Sequence, residues 1–306
     1  MINGMGSHIT QAEAVDNAEL SQDAEKIEFA WKELGRGLWL AAPVLEDIVE
    51  VLQRCPNLER MAVPRLSERD IITHLAPIVT NTMPRLCHLD LDHLNYRPLG
   101  ISHLVQSCKD LTSIRFGRPQ SQPPQLVDAL VSGHGHSLQS LDIRRFDKLS
   151  SLGLNIILSR CRGLKELLAS RETYPRGWNT VKMTPILSTK DMVMVPEEPG
   201  WSCRNLETLE LCYSGMDTIF GIPEVLWRQL GQLPKLKHLS LQRHVTCEGL
   251  AVQEKESVRQ AVYSWMTLPD LRRLELRGVN AFMDETLVCD VQKQWPQLEW
   301  VRYSYD

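Results

Sequence analysis

Three places in this chain bring together residue types that can do chemistry. The densest is His88-Leu-Asp90-Leu-Asp92-His93, where an imidazole and two carboxylates alternate with leucines. In extended backbone every second side chain falls on one face, so His88, Asp90 and Asp92 come within reach of one Mg²⁺ or Mn²⁺ ion. A metal-dependent hydrolase is the enzyme class such a trio would serve. The same alternation is also what a half-buried strand requires, and Asp142 is the one further carboxylate expected nearby, two strands away. Gly133-His-Gly-His136 offers two imidazoles between glycines, and its simpler reading is a flexible turn leading into a strand at Leu138. Cys87-His88 sets a thiol beside an imidazole without an orienting acid. The chain contains no Gly-x-Ser-x-Gly, no Gly-x-x-x-x-Gly-Lys and no His-Glu-x-x-His. These motifs therefore predict a chain that is not an enzyme, with no metal and no cofactor.

The elements that hold these residues explain the spacing better than chemistry does. Leu86-Cys-His-Leu89-Asp-Leu91 is one copy of Leu-x-x-Leu-x-Leu, a pattern that returns along the whole chain. Clear copies begin at Leu111, Leu138, Leu206, Leu236 and Leu271, and weaker ones at Leu58, Leu164 and Leu298. Most first anchors lie 25–28 residues apart, with longer steps of 42, 30 and 35 that mark insertions. A leucine-rich repeat has a period of roughly 20–29 residues. Each copy ends in a period of two, which is strand spacing, and each is preceded by apolar residues three or four apart, which is helix spacing. Helices are predicted within 44–52, 70–79, 99–105, 125–131, 149–158, 225–230, 258–265 and 286–295. Pro56, Pro84, Pro234, Pro269 and Pro296 follow several of them, where a ring without an N–H stops a helix.

One such unit cannot cover both its strand and its helix, so neighbours must stack to bury the leucines. The predicted fold is an α/β leucine-rich-repeat solenoid. Strands spaced about 4.8 Å apart and helices about 8–10 Å apart force a curved horseshoe with the parallel sheet on the concave side. Residues 25–306 are expected to form it, with an irregular first unit around Leu38-Trp-Leu40 and no separate C-terminal domain. Residues 1–24 are polar, acidic and expected to fray. The stretch 170–200, with four prolines, is expected to be an insertion that projects as a loop.

The chain of 306 residues is 43% hydrophobic with a net charge of −4, which gives no global attraction for nucleic acid or an acidic membrane. Eight cysteines include four in a single slot, three residues before an anchor leucine: Cys55, Cys108, Cys161 and Cys203. A disulfide framework or a zinc site would use pairs, so these predict buried thiols where a helix turns into the next strand. No basic patch with an apolar run opens the chain, and the expected address is a reducing one, cytoplasmic or nuclear.

The residues between the leucines form the concave face, and a protein partner is expected there. They run Trp39, Arg60, His88, Asp90 and Asp92, then Arg115, Asp142, Arg144 and Glu166. Thr208, Glu210, His238, Gln242, Arg273, Glu275, Arg277, Trp300 and Arg302 complete the set. The mixture of signs suits a protein with matching charges better than a polyanion.

With the repeats laid out, the four Cys-x-x-Leu-x-x-Leu copies resemble the cysteine-containing, ribonuclease-inhibitor-like repeats of F-box proteins. Trp201-Ser-Cys-Arg-Asn-Leu206, Gln229-Leu-Gly-Gln-Leu233 and the closing Trp295-Pro-Gln-Leu-Glu-Trp-Val301 are similar to the fungal members of that group. The resemblance covers roughly residues 30–306. It implies substrate recognition for a ubiquitin ligase, with the F-box docking to the Skp1 adaptor of a cullin complex. No Leu-Pro-x-Glu with a following apolar helix precedes Leu34, so this chain is expected to lack that box. A scaffold or inhibitor unconnected to ubiquitination is the alternative.

Overall fold

In the computed structural model the described residues are 45–63, 66–92, 98–117, 125–146, 148–169, 186–188, 200–214, 224–243, 263, 268–277 and 285–304. They form a ten-stranded sheet in which every pair is parallel. The strands are β1 (Arg60–Ala62), β2 (His88–Leu91), β3 (Ser113–Phe116), β4 (Ser140–Asp142) and β5 (Glu166–Leu168). After them come β6 (Ile186–Ser188), β7 (Thr208–Ser214), β8 (His238–Arg243), β9 (Arg273–Arg277) and β10 (Trp300–Ser304). Apart from β6, each strand pairs with the next in chain order, as stacked repeats demand.

Register locks because each anchor step is repeated. The Glu59 carbonyl accepts from the N–H groups of both Cys87 and His88, at 3.0 and 2.9 Å. The equivalent carbonyls of Cys87, Thr112, Gln139, Lys165, Glu207, Lys237 and Arg272 do the same for the next repeat. This chain of shared acceptors runs from β1 to β10 and satisfies backbone groups that a buried sheet cannot leave open. The anchor leucines Leu89, Leu141, Leu167, Leu209, Leu239 and Leu274 then stack in one buried row.

Helices pack behind the sheet: α1 (Leu45–Gln53), α2 (Glu68–Asp70), α3 (Ala76–Thr82), α4 (Pro98–Ser107) and α5 (Leu126–His134). Three more follow: α6 (Ser151–Arg160), α7 (Glu224–Leu230) and α8 (Glu285–Gln294). A π-helical turn, Ile71–Leu75, joins α2 to α3, with the Ala76 N–H donating to the Ile71 carbonyl. Pro77 explains it: the ring has no N–H and crowds the carbonyl four residues back, so the turn before it widens. The predicted helix within 258–265 falls outside the described residues except for Tyr263.

The slot three residues before each anchor leucine is buried throughout. Cys55, Met83, Cys108, Cys161, Cys203, Leu233, Leu268 and Trp295 fill it, at 8% exposure or less. At six of these positions the anchor N–H donates to the slot carbonyl, closing the turn from helix to strand. In the fourth repeat the slot is Gly135, where a Cβ would stand 2.6 Å from the Val131 carbonyl. The neighbouring His134 is buried instead, its Nε2 2.9 Å from the Val105 carbonyl. Of Gly133-His-Gly-His136, the second half forms the predicted turn toward the strand, while the first half does not. Gly133 and His134 close α5, and His134 packs in the interior.

Burial pushes the thiols of Cys108, Cys161 and Cys203 up to about 12 from 9.0. The fold accepts only the neutral thiol, so the unfolded chain ionises first. Below pH 9 these groups leave stability unchanged; between pH 9 and 12 they lower it, by up to about 1.4 kcal/mol per pH unit per thiol. In thermal melts the native chain is expected to lose melting temperature faster from pH 9 to 11 than a Cys161→Ala/Cys203→Ala variant. Parallel slopes would show that these thiols do not titrate this way.

Of the insertion at 170–200 only residues 186–188 and 200 are described, and the first of these depart from a plain projecting loop. Within it β6 runs alongside the far half of β7, pairing Ile186 with Cys212, Leu187 with Tyr213 and Ser188 with Ser214. Leu187 is fully buried, and the Ser188 N–H donates to Ser151 Oγ at 2.6 Å. The physical reason is the length of β7: β5 covers only its first three residues, and β6 takes up the backbone groups left on the same edge.

Candidate functional site

The solvent-facing rows of the sheet carry most of the expected residues, and parallel register sets them side by side. One row reads Arg60, His88, Ser113, Ser140, Glu166, Thr208, His238, Arg273 and Trp300. The next reads Ala62, Asp90, Arg115, Asp142, Leu168, Glu210, Ser240, Glu275 and Arg302. Arg115 therefore lies directly between Asp90 and Asp142.

Around Arg115 the structure builds a lattice of three arginines and three aspartates. The Arg115 guanidinium stands 3.1 Å from Asp92, 3.6 Å from Asp142 and 3.9 Å from Asp90. Arg145 Nη1 donates to both oxygens of Asp92 at 2.9 Å. Arg144 grips Asp142 through Nε at 3.0 Å and Nη2 at 2.7 Å. Asp90 in turn accepts from the Asp92 N–H at 2.8 Å, so the two carboxylates are fixed by a turn at the end of β2. Gly117 lets the neighbouring chain close in, since a Cβ there would meet the Asp92 carbonyl at 2.5 Å. Beneath, Phe146 packs on Phe116 with ring centroids 5.3 Å apart and pins the turn that carries Arg144 and Arg145.

This geometry decides against reading His88, Asp90 and Asp92 as a free ligand trio. Asp92, with its side chain 6% exposed, already holds two guanidinium groups. No group of three His, Cys, Asp or Glu among the described residues is arranged to hold a metal ion. His88 is half-buried, and its pKa is lowered first by burial and then by Arg60, against a smaller opposing pull from Glu59. Arg145 belongs to the lattice although sequence reasoning passed over it. It follows the strand and meets Asp92 across 53 residues. The doubled Arg144-Arg145 after a short strand was the one available signal.

The other half of the face behaves differently. Glu275 occupies its expected row yet is 4% exposed, and it accepts from Ser240 Oγ at 2.9 Å, Ser240 being buried too. Both sit among the buried residues, so Glu275 does not present its charge outward as a strand residue on this face was expected to do. Gln242 is half-buried, with its side-chain carbonyl enclosed. Glu166 accepts from Ser140 Oγ at 2.6 Å. Glu210 and His238 are half-buried, while Arg273 and Trp300 are exposed. Arg277 and Arg302 hold register positions on β9 and β10, their side chains lying outside the described residues, as does Trp39 altogether.

The repeats, their register and the shared interior define a leucine-rich-repeat solenoid. No family model matches the chain. It is similar to a transport inhibitor response 1-like protein of Oryza sativa subsp. japonica, 32% identical over 127 residues. That match takes in 39% of this chain and about a fifth (21%) of the relative's length. Among solved structures it is similar to the Rad7 and Elc1 complex of yeast at 12% identity and a TM-score of 0.39, covering 96% of this chain and 88% of that one. Among the described residues no helix is long and apolar enough to cross a membrane.

Proposed function

We propose that this chain is a non-catalytic recognition module that grips a protein partner on the first half of its concave sheet, in the cytoplasm or nucleus. The observation that carries this reading is the arginine–aspartate lattice, whose Arg115 and Arg145 side chains are each 44% exposed while their aspartates hold them in place. Guanidinium groups fixed this way lose little freedom on binding a carboxylate or a backbone carbonyl. Half-exposed charge of this kind sets partner choice and encounter rate more than raw affinity. By resemblance to F-box/leucine-rich-repeat proteins, the partner is a substrate selected for ubiquitination through Skp1 and a cullin. No cofactor, nucleic acid or membrane enters this mechanism.

Affinity capture from cells, comparing the native chain with Arg115→Glu/Arg145→Glu, tests the proposal. The reversal places two further carboxylates beside Asp90, Asp92 and Asp142, and is expected to reduce recovery of specific partners about tenfold or more. Co-capture of Skp1 supports the ligase role; a stable partner without Skp1 supports a scaffold or inhibitor. Equal recovery by both chains, with both folded by circular dichroism, removes the concave lattice as the gripping surface.

A further inference from the structure

A second surface lies on the rim where the later strands begin, and its charge differs from that of the whole chain. Lys165, Glu207, Lys237, Arg272 and Glu299 stand in one row, each just before its strand, because the first four carbonyls are shared acceptors of the ladder and the Glu299 N–H donates to the last of them. Counting the adjoining turns and the first residues of the strands, seven exposed or half-buried cations stand against four carboxylates. The chain as a whole carries −4. The same rim over β1 to β4 has Arg54, Arg60, Arg85 and Lys109 against Glu59 and Asp110, and Arg54 is already paired with Glu50 of α1.

Three details show that this basic stripe is under-neutralised. Lys235 donates to Asn205 Oδ1 at 2.7 Å, a neutral acceptor, and so has no carboxylate as its hydrogen-bond partner there. Lys237 meets Glu207 at 2.6 Å, and that one carboxylate also feels Lys165 and Lys235. The Lys237 hydrogen bond first, then the fields of the three lysines, hold Glu207 below the usual carboxylate range. At the far end Arg272 and Arg273, 58% and 59% exposed, share Glu299 at 3.8 Å. Beside Arg273 in register stands Trp300, 40% exposed.

We infer that the rim from Lys165 to Trp300 docks an acidic peptide segment of a partner protein, with an apolar side chain of that segment seated on Trp300. The inference rests on the protein-binding role proposed above and adds a second surface to it. A peptide fits better than nucleic acid because Glu207 and Glu299 interrupt the stripe. A phosphate backbone carries a charge at every step and would set phosphates against both carboxylates. A peptide can place its acids opposite Lys165, Lys235 and Arg272 and leave the gaps neutral. Trp300 supplies the desolvated anchor that charge alone lacks.

The test is fluorescence anisotropy on the full chain, with a labelled peptide of four glutamates alternating with serines and followed by phenylalanine as the probe. Lys165→Glu/Lys235→Glu/Arg272→Glu is expected to weaken binding about tenfold or more, and Arg60→Glu/Arg85→Glu less than about twofold. Trp300→Ala is expected to weaken the phenylalanine peptide about threefold and leave its glycine counterpart unchanged. Neutral Lys165→Gln/Lys235→Gln gives a smaller loss in the same direction and serves if the triple reversal does not fold. Equal losses from both reversals, or tighter binding of a single-stranded oligonucleotide of the same charge, would overturn the inference. Peptide failure alongside capture that still depends on Arg115 and Arg145 removes only this surface; failure of both removes the recognition role as well.

Discussion

Replacing Leu141 by alanine is expected to lower the unfolding free energy by about 3–5 kcal/mol, read from urea denaturation at neutral pH. Leu141 is fully buried on β4, in register with Ile114 on one side and Leu167 on the other. Both neighbours belong to other repeats, so the cavity opens in an interior that three units share. A solenoid has no other core to fall back on, because each repeat touches only its neighbours. Ser140→Ala, one residue away on the solvent face, removes a half-exposed hydroxyl that donates to Glu166 and is expected to cost about 1 kcal/mol or less. The contrast is the informative quantity. A Leu141→Ala loss no larger than that of Ser140→Ala would mean the aliphatic ladder is not a common interior.

The parts legible in the sequence are those that recur. Leu-x-x-Leu-x-Leu fixes strand phase and period together, so the parallel order and the buried face followed from spacing alone. The cysteine slot was legible for the same reason: a thiol returning at one phase marks one environment. Non-recurring features escaped. Ile186-Leu-Ser188 is too short to show a period, and its partner is set by how far β7 outruns β5. His134 reads as a turn residue between glycines, yet it is the last residue of α5 and its side chain is 1% exposed. The link from Arg145 to Asp92 spans three strands, which no local pattern encodes. The burial of Glu275 is likewise invisible to an alternation rule that assigns every second residue to solvent. The alternation that sets the rows was legible in the sequence, while the arginine–aspartate lattice and the burial of Ser240 and Glu275 required coordinates.

The largest loss from a single polar contact is expected at Trp201, where the chain rejoins the repeats after the insertion. Its indole is 1% exposed, and Nε1 donates to Asn155 Oδ1 at 3.1 Å inside the core. Its backbone N–H donates to Gln229 Oε1 at 2.9 Å, next to Gly200 at φ 59°, a left-handed conformation that favours glycine. Trp201 thus ties α6, α7 and the approach to β7 together, and β7 is the strand that pairs with β5, β6 and β8. Trp201→Ala is expected to cost about 3–5 kcal/mol through the cavity. Trp201→Phe keeps most of the ring but takes away the donor, leaving the Asn155 carbonyl buried, and is expected to cost about 1–3 kcal/mol. If that smaller cost is the stranded acceptor, Asn155→Leu should restore stability in the Trp201→Phe background while destabilising the native chain. Urea denaturation of the four variants of this cycle measures the coupling directly. Strictly additive losses would show that volume alone, and not the hydrogen bond, holds the insertion to the solenoid.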